Sequence, residues 1–230
     1  VLLKENEVKH GLHLQGKLRA ENLNAGQLIQ NKSLGELTFN STMTALIRDE
    51  SLGGSEFYID SIYLKKLEFN GYPYSNLQAT GSYVGNKFDG KIICHDPNLD
   101  FIFQGVFGLS TKRDSYYDFY ADVIYANLKA LNFDKRDSVS VISFKTLANF
   151  TQKTSGDIIG NIQVKSMGYT NSNGKYSIGD ITILSNSNRD NFVVSLKSSF
   201  AEMNYRGSKF INKFAEKLLE ATTARHIPNL

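Results

Sequence analysis

The sequence predicts a mainly β fold, laid out as a meandering antiparallel sheet. Three observations predict it. Apolar residues recur at every second position along the chain, which gives each strand one apolar face and one wetter face. Turn signals interrupt these runs at intervals of about ten residues, the rhythm of strands joined by tight turns. Helical periodicity is nearly absent. Only 3 prolines occur in 230 residues. Two of them, Pro73 and Pro97, sit beside turn signals, where no ladder hydrogen bond is lost.

The alternation opens with Leu12, Leu14, Gly16, Leu18 and Ala20. The stretch "NLNAGQLIQN" then predicts one short helix with Asn24 as its cap. Leu37, Phe39, Ser41, Met43, Ala45 and Ile47 make the next strand face. Gly53-Gly54 and Asn70-Gly71 are turn signals, as are Gly85-Asn86 and Asp96-Pro97-Asn98. Between the last two lie Phe88, Gly90, Ile92 and Cys94. "NLDFIFQGVFGL" follows, with Leu99, Phe101, Phe103, Gly105, Phe107 and Leu109 on one parity. Asn98, Asp100, Gln104 and Gly108 hold the other, with Ile102 and Val106 as exceptions. Tyr117, Phe119, Ala121, Val123 and Tyr125 form the next face, then Ile158, Gly160, Ile162 and Val164. After the Asn173-Gly174 signal, Phe192, Val194, Leu196 and Ser198 close the series.

The second predicted helix is "GSKFINKFAEKLLEATTA", over 208–224. Ser208 caps it, and Phe210, Ile211, Phe214, Leu218 and Leu219 form an apolar stripe against a charged face. Its expected role is to plug the open end of the sheet, with a membrane-surface role as the alternative. "GKLRAENLNAGQL" (Gly16–Leu28) also resembles "ADVIYANLKALNF" (Ala121–Phe133), at an offset of about 105 residues. The chain is therefore expected to be one elongated unit over 1–230. It divides into two repeats, about 12–115 and 116–207, followed by the helix.

Composition narrows the function. Lys and Arg number 26 and Asp and Glu 23, a net charge of +3 spread along the chain. No clustered basic face marks a nucleic-acid binder, and support for anionic headgroup binding is weak. The single cysteine, Cys94, rules out an intrachain disulfide. No apolar run approaches the roughly 20 residues of a membrane helix. The opening "VLLKENEVKHGLHLQG" lacks a signal peptide and starts close to a strand. It reads as the beginning of a section of a longer protein.

No residue pattern points to catalysis. His10 and His13 stand three apart, which puts them on opposite faces of a strand and spoils a shared metal. His95 and Asp96 imitate a dyad, but adjacent strand residues diverge, and Asp-Pro-Asn is turn chemistry. Asp60, Glu68, Asp118, Asp122 and Asp180 form no spaced pair. A complete phosphate loop, a nucleophile elbow and a C-x-x-C are all missing. No cofactor is expected. Alternation by itself leaves open what covers the apolar face: a second sheet, as in a sandwich, or something else.

Four stretches bear on that question. They are "LQGKLRAENLNAGQLIQNKSLGELTFNSTMTA" (Leu14–Ala45), "FNGYPYSNLQATGSYVGNKFDGKIICHDPNLDFIFQGVFGLS" (Phe69–Ser110), "FYADVIYANLKALNF" (Phe119–Phe133) and "YSIGDITILSNSNRDNFVVSLKSSFAEMNYRG" (Tyr176–Gly207). The second combines N-G-Y-x-Y-x-N-L, K-F-D-G-K and D-P-N-L-x-x-x-F-x-G in fixed order. Together they resemble the C-terminal, repetitive β-rich part of the TamB family in its Bacteroidetes-like form. That family belongs to the AsmA-like group of bridge-like lipid-transfer proteins.

The resemblance implies an elongated sheet curled into a taco-like groove, its apolar floor shared with phospholipid acyl chains. The groove-lining residues would be Leu37, Phe39, Met43, Phe88, Ile92, Leu99, Phe101, Phe103, Phe107, Leu109, Phe119, Val123, Phe192 and Val194. It further implies a periplasmic protein that is not an enzyme. An N-terminal anchor would hold it in the inner membrane. The far end would meet an outer-membrane barrel protein of the TamA or BamA type. The alternative is a scaffold that assists outer-membrane protein assembly by pairing strand edges.

Overall fold

The computed structural model describes residues 11–29, 31–48, 54–108, 113–154, 157–188 and 191–207. The helix expected over 208–224, Leu109 and His10 lie outside them. The strands are β1 (Leu12–Asn24), β2 (Leu34–Ile47), β3 (Glu56–Phe69), β4 (Tyr72–Tyr74), β5 (Leu77–Val84), β6 (Lys87–Asp96) and β7 (Leu99–Gly108). They continue with β8 (Ser115–Asn127), β9 (Ser140–Gln152), β10 (Ile158–Asn171), β11 (Gly174–Asn188), β12 (Asn191–Ser198) and β13 (Glu202–Gly207). One five-residue helix, α1 (Ala25–Ile29), follows β1, and the Asn24 Oδ1 accepts from the Gln27 N–H at 3.0 Å as its cap.

All thirteen strands belong to one antiparallel sheet. Twelve lie side by side in chain order, and β4 is a short return against β3. The tight turns carry the expected chemistry: Asn70 and Gly71 have φ of 51° and 72°, and Gly85 and Asn86 of 59° and 61°. Among the described residues no second sheet lies over the first, and the extensive strand–strand packing is between neighbours in the sheet. At the usual strand spacing, the sheet runs about 50 Å from β1 to β13.

The two faces are unequal. Phe88, Val194 and Leu196 are 8%, 2% and 3% exposed, whereas Leu147 and Leu184 on the opposite face are 53% and 51% exposed. A flat single layer would leave both faces equally wet. Burial on one side alone means that the sheet curls around that side. The sandwich is thus excluded for the described residues, and the elongated, curled antiparallel sheet is what the chain forms.

Register shows how the curl is made. Residues directly opposite one another on paired strands share a face. Leu77, Cys94, Phe101, Val123 and Phe144 form one inner row, continued by Leu64 and Phe39 on the other side. The next inner row toward the strand ends holds Leu37 and Leu67, then Leu99, Ala126, Ile142 and Tyr169. Between these two rows the strands are irregular in line with one another. β1 breaks register between Ala20 and Leu23, β3 inserts Lys65, β8 breaks between Val123 and Ala126, and β10 between Lys165 and Gly168. Asn76, where β4 gives way to β5, and Ser166 on β10 have φ of 53° and 51° on the same line. Bulges bend a strand and sharpen its twist. Aligned across the sheet, they make a crease.

The bulge in β8 corrects one expectation. Tyr125 does not continue the face of Val123: it is 36% exposed, and Ala126, 4% exposed, takes the inner position. The echo between the two chain segments also has a structural counterpart. Asn127 caps a turn as Asn24 does, its Oδ1 accepting from the Ala130 N–H at 3.1 Å, just after a bulge in each strand. The sheet passes residue 115 without a break, β8 pairing with both β7 and β9.

Candidate functional site

The inner face collects the expected lining residues. Phe88, Phe107, Tyr117 and Phe150 are directly opposite in sequence of strands, and Gly160, Ser185 and Val194 extend that row. Ile92 faces Phe103, and Phe103 faces Ala121. Phe39, Phe101 and Val123 share the row beside the crease, and Leu37 and Leu99 the row beyond it. Met43 and Phe119 lie in the row through Gly105, and Phe192 stands two residues from Val194 on the same strand face. Apart from Leu109, all the expected residues are on one side of the sheet.

At its centre the face is aromatic. Phe103 meets Phe107 edge-on at 5.4 Å between centroids and Phe119 at 5.2 Å, and Phe88 meets Phe107 at 5.1 Å. Tyr117 stacks on Phe150 at 4.5 Å. The Phe88 ring lies over a glycine, within a row of glycines. Gly81, Gly90 and Gly105 are consecutive partners on β5, β6 and β7. A Cβ on Gly90 would meet the Phe88 ring at 2.8 Å, and one on Gly105 would meet Phe119 Cα at 2.6 Å. Rings laid across glycine restore the packing that the missing side chain forfeits, and glycine kinks add curvature. Among the described residues the site is therefore a concave, largely apolar surface with no second protein layer over its centre.

Several lining residues escape a search for strict alternation. Along β3 the inner positions are Phe57, Ile59, Ile62, Leu64 and Leu67. Their spacing alternates between two and three because Asp60 and Lys65 are inserted. That uneven spacing was the available signal. Leu131, 1% exposed on the segment between β8 and β9, gave none.

The outer face is polar and largely self-paired. Tyr120 donates to Asp122 at 3.0 Å, and Lys145 pairs with Asp122 at 3.1 Å. Lys165 pairs with Asp180 at 3.0 Å. An open trough of about 610 Å³ crosses β1, β2, β3 and β5, lined mainly by polar side chains such as Lys17, Thr42, Gln78 and Thr80.

The suspected dyad resolves into two separate arrangements. His95 is the penultimate residue of β6, on the outer face, its Nδ1 2.9 Å from the Asp100 carboxylate. Asp96 is 6% exposed and is more than a turn residue. Tyr72 donates to it, as do the Ser75 N–H and hydroxyl at 2.9 and 2.8 Å and the Asn98 N–H at 2.8 Å. Burial pushes this carboxyl up, but the donors outweigh burial and hold it below its ordinary value. Burial pushes the Tyr74 hydroxyl up to about 12 and the Cys94 thiol up to about 11. His13 sits alone on β1. Among the described residues no three of His, Cys, Asp or Glu gather as metal ligands. One fragment, Gly85–Lys91, does fit a truncated G-x-x-x-x-G-K. It runs through a hairpin turn into β6, has Ile92 where a hydroxyl is needed and opens no helix, so it builds no phosphate loop.

Asp134 anchors the segment before β9. Arg136 holds its carboxylate at 3.0 and 3.1 Å, and the Ser140 hydroxyl donates at 2.9 Å. The Arg136 contact draws its pKa down from 3.8 to about 2. A lowered folded-state pKa stabilises fully above the unfolded value and loses that contribution as pH falls through the folded one. Asp134→Asn is therefore expected to cost about 2 kcal/mol at pH 7. Urea melts of both proteins should converge between pH 3.8 and about 2. A gap independent of pH would disprove the assignment.

No family model, curated protein or solved structure matches the chain significantly.

Proposed function

We propose that this chain is a section of a periplasm-spanning lipid conduit of the TamB kind. In this reading phospholipid acyl tails travel along the inner face while headgroups stay at the mouth. One observation carries it: a sheet of about 50 Å whose inner face is largely apolar and, among the described residues, has no protein layer over its centre. Covering that face releases about 25 cal/mol per Å², and each tail methylene contributes about 0.8 kcal/mol. The attraction is non-directional, so a tail slides without meeting a deep trap. The role is non-enzymatic: it uses area, not a reactive group. The inner-membrane anchor and the outer-membrane barrel partner of TamA or BamA type belong to this proposal through the sequence resemblance, as does the periplasmic location.

Native mass spectrometry of protein purified from bacterial membranes tests the reading. Co-purified phospholipid, displaced by detergent, is the expected result; protein free of lipid under gentle extraction argues against it.

A second reading uses the edge of the sheet. β1 has 13 residues and, among the described residues, pairs only with β2. An edge of that length suits a scaffold that aligns strands of outer-membrane client proteins. Prolines placed along β1 would then block client assembly and spare lipid occupancy.

A further inference from the structure

The segment 128–139 joins β8 to β9 and contains no strand, yet its Leu131 is 1% exposed. Leu131 forms a buried cluster with Tyr74 and Ala126, and Leu67, Leu99 and Val123 pack against that cluster. Leu99 and Val123 are expected lining residues of the lipid path. The segment thus lies over the apolar face beyond the crease. Its leucine occupies ground that an acyl tail would otherwise cover.

Besides the backbone bonds of Leu128 to Ser140 and of Leu131 to Asn127 and the Asn127 cap, three side-chain attachments hold the segment down. Asp134 is fixed to Ser140 at the start of β9. Asp137 accepts from the Ser172 N–H and hydroxyl, at 3.2 and 2.9 Å, in the turn between β10 and β11. The third is a clasp: Asn132 Nδ2 donates to the Asn70 carbonyl at 3.1 Å, and Asn70 Nδ2 to the Asn132 carbonyl at 3.3 Å. The two carboxylate anchors are charge-assisted, whereas the clasp is neutral and solvent-facing, which makes it the weakest. Once the clasp is released and the Leu131 N–H bond to the Asn127 carbonyl opens, the segment lifts Leu131 while the aspartate anchors keep its far end attached.

We propose that the face beneath this segment is a gated acyl-chain site, held shut by Leu131 and opened at the clasp between Asn70 and Asn132. The proposal rests on the reading of the inner face as a lipid path. Leu131 and a tail compete for the same contacts, so tail binding and segment release are one equilibrium.

The test uses the whole chain. Leu99→Cys places a thiol under the segment; Cys94, 0% exposed, stays silent toward maleimide. Adding Asn132→Ala is expected to raise the labelling rate about tenfold, the effect of losing hydrogen bonds of ordinary strength. An unchanged rate overturns the gate. In parallel, phosphatidylcholine with a photoreactive tail is presented to the same proteins. Capture at position 99 should rise with Asn132→Ala, while capture at position 103 stays constant. Capture at 103 alone means that the opened site takes no tail, which overturns the acyl assignment and leaves the lipid path standing. Capture at neither overturns both. Hydrogen exchange on the unsubstituted protein needs no variant: the Leu131 and Phe133 amides should exchange before those of β8 and β9, and faster with short-chain phosphatidylcholine. Protection equal to the strands, with or without lipid, would refute the gate even if Asn132→Ala failed to fold.

Discussion

Gly105→Val is expected to lower the melting temperature by about 10 °C. Gly105 has φ of 140°, a conformation that residues with a side chain rarely adopt. An added Cβ would press on the Asp118 carbonyl oxygen and lie 2.6 Å from Phe119 Cα. Both belong to the backbone of β8 and cannot swing aside. Its partner Gly90 is equally crowded, by the Thr80 carbonyl and by Gly81 Cα at 2.8 Å. The strain therefore has no slack row to relax into. Backbone strain and overpacking together cost about 4 kcal/mol, a large part of an ordinary domain's stability. Lys91→Val, one residue from Gly90 on the exposed face, is the control and should melt near the parent. Circular dichroism melts decide the matter, and a loss under about 2 °C for Gly105→Val would contradict the account of the glycine row.

On the proposed reading of the inner face as a lipid path, Phe103→Arg is expected to abolish lipid delivery. The ring touches Phe107 and Phe119 at the middle of the inner face. A guanidinium there either keeps its water, which wets the path, or loses it at a cost of several kcal/mol. A conduit works in series, so one barrier stops all traffic beyond it. Phe103→Leu keeps the face apolar and should retain delivery, which separates the charge from the lost ring. Gln104→Arg points the same charge to the outer, exposed side and should be nearly silent. Outer-membrane integrity in cells carrying each variant, with protein levels matched, gives the answer. Normal integrity with Phe103→Arg would return this strand to an ordinary structural role.

Sequence made the strands of regular alternation legible. In β7, Phe101, Phe103 and Phe107 announce their common face directly. β3 was opaque because Asp60 and Lys65 each shift the pattern by one, so a parity count started at Phe57 fails by Ile62. Tyr125 misled for the same reason, a bulge no neighbour in sequence reveals. Leu131 was invisible on other grounds: its burial depends on Tyr74 and on a clasp to Asn70 far away in the chain. The curl itself was not in the alternation. It resides in the alignment of bulges and glycines across strands, which only register discloses.

The meander order has a further consequence. Because, apart from the short β4, each strand in the order is stitched to the ones beside it, the sheet is quasi-one-dimensional, and its free energy is close to a sum of nearest-neighbour terms. Such a sheet can zip up progressively with little loop-closure entropy at each step. Fraying is cheapest at its two ends, β1 and β13, and interior strands open only with both flanking ladders broken. Damage to one strand is then felt locally, and the array tolerates added or deleted hairpins more readily than a closed barrel does. Length becomes an evolvable quantity, adjustable one hairpin at a time.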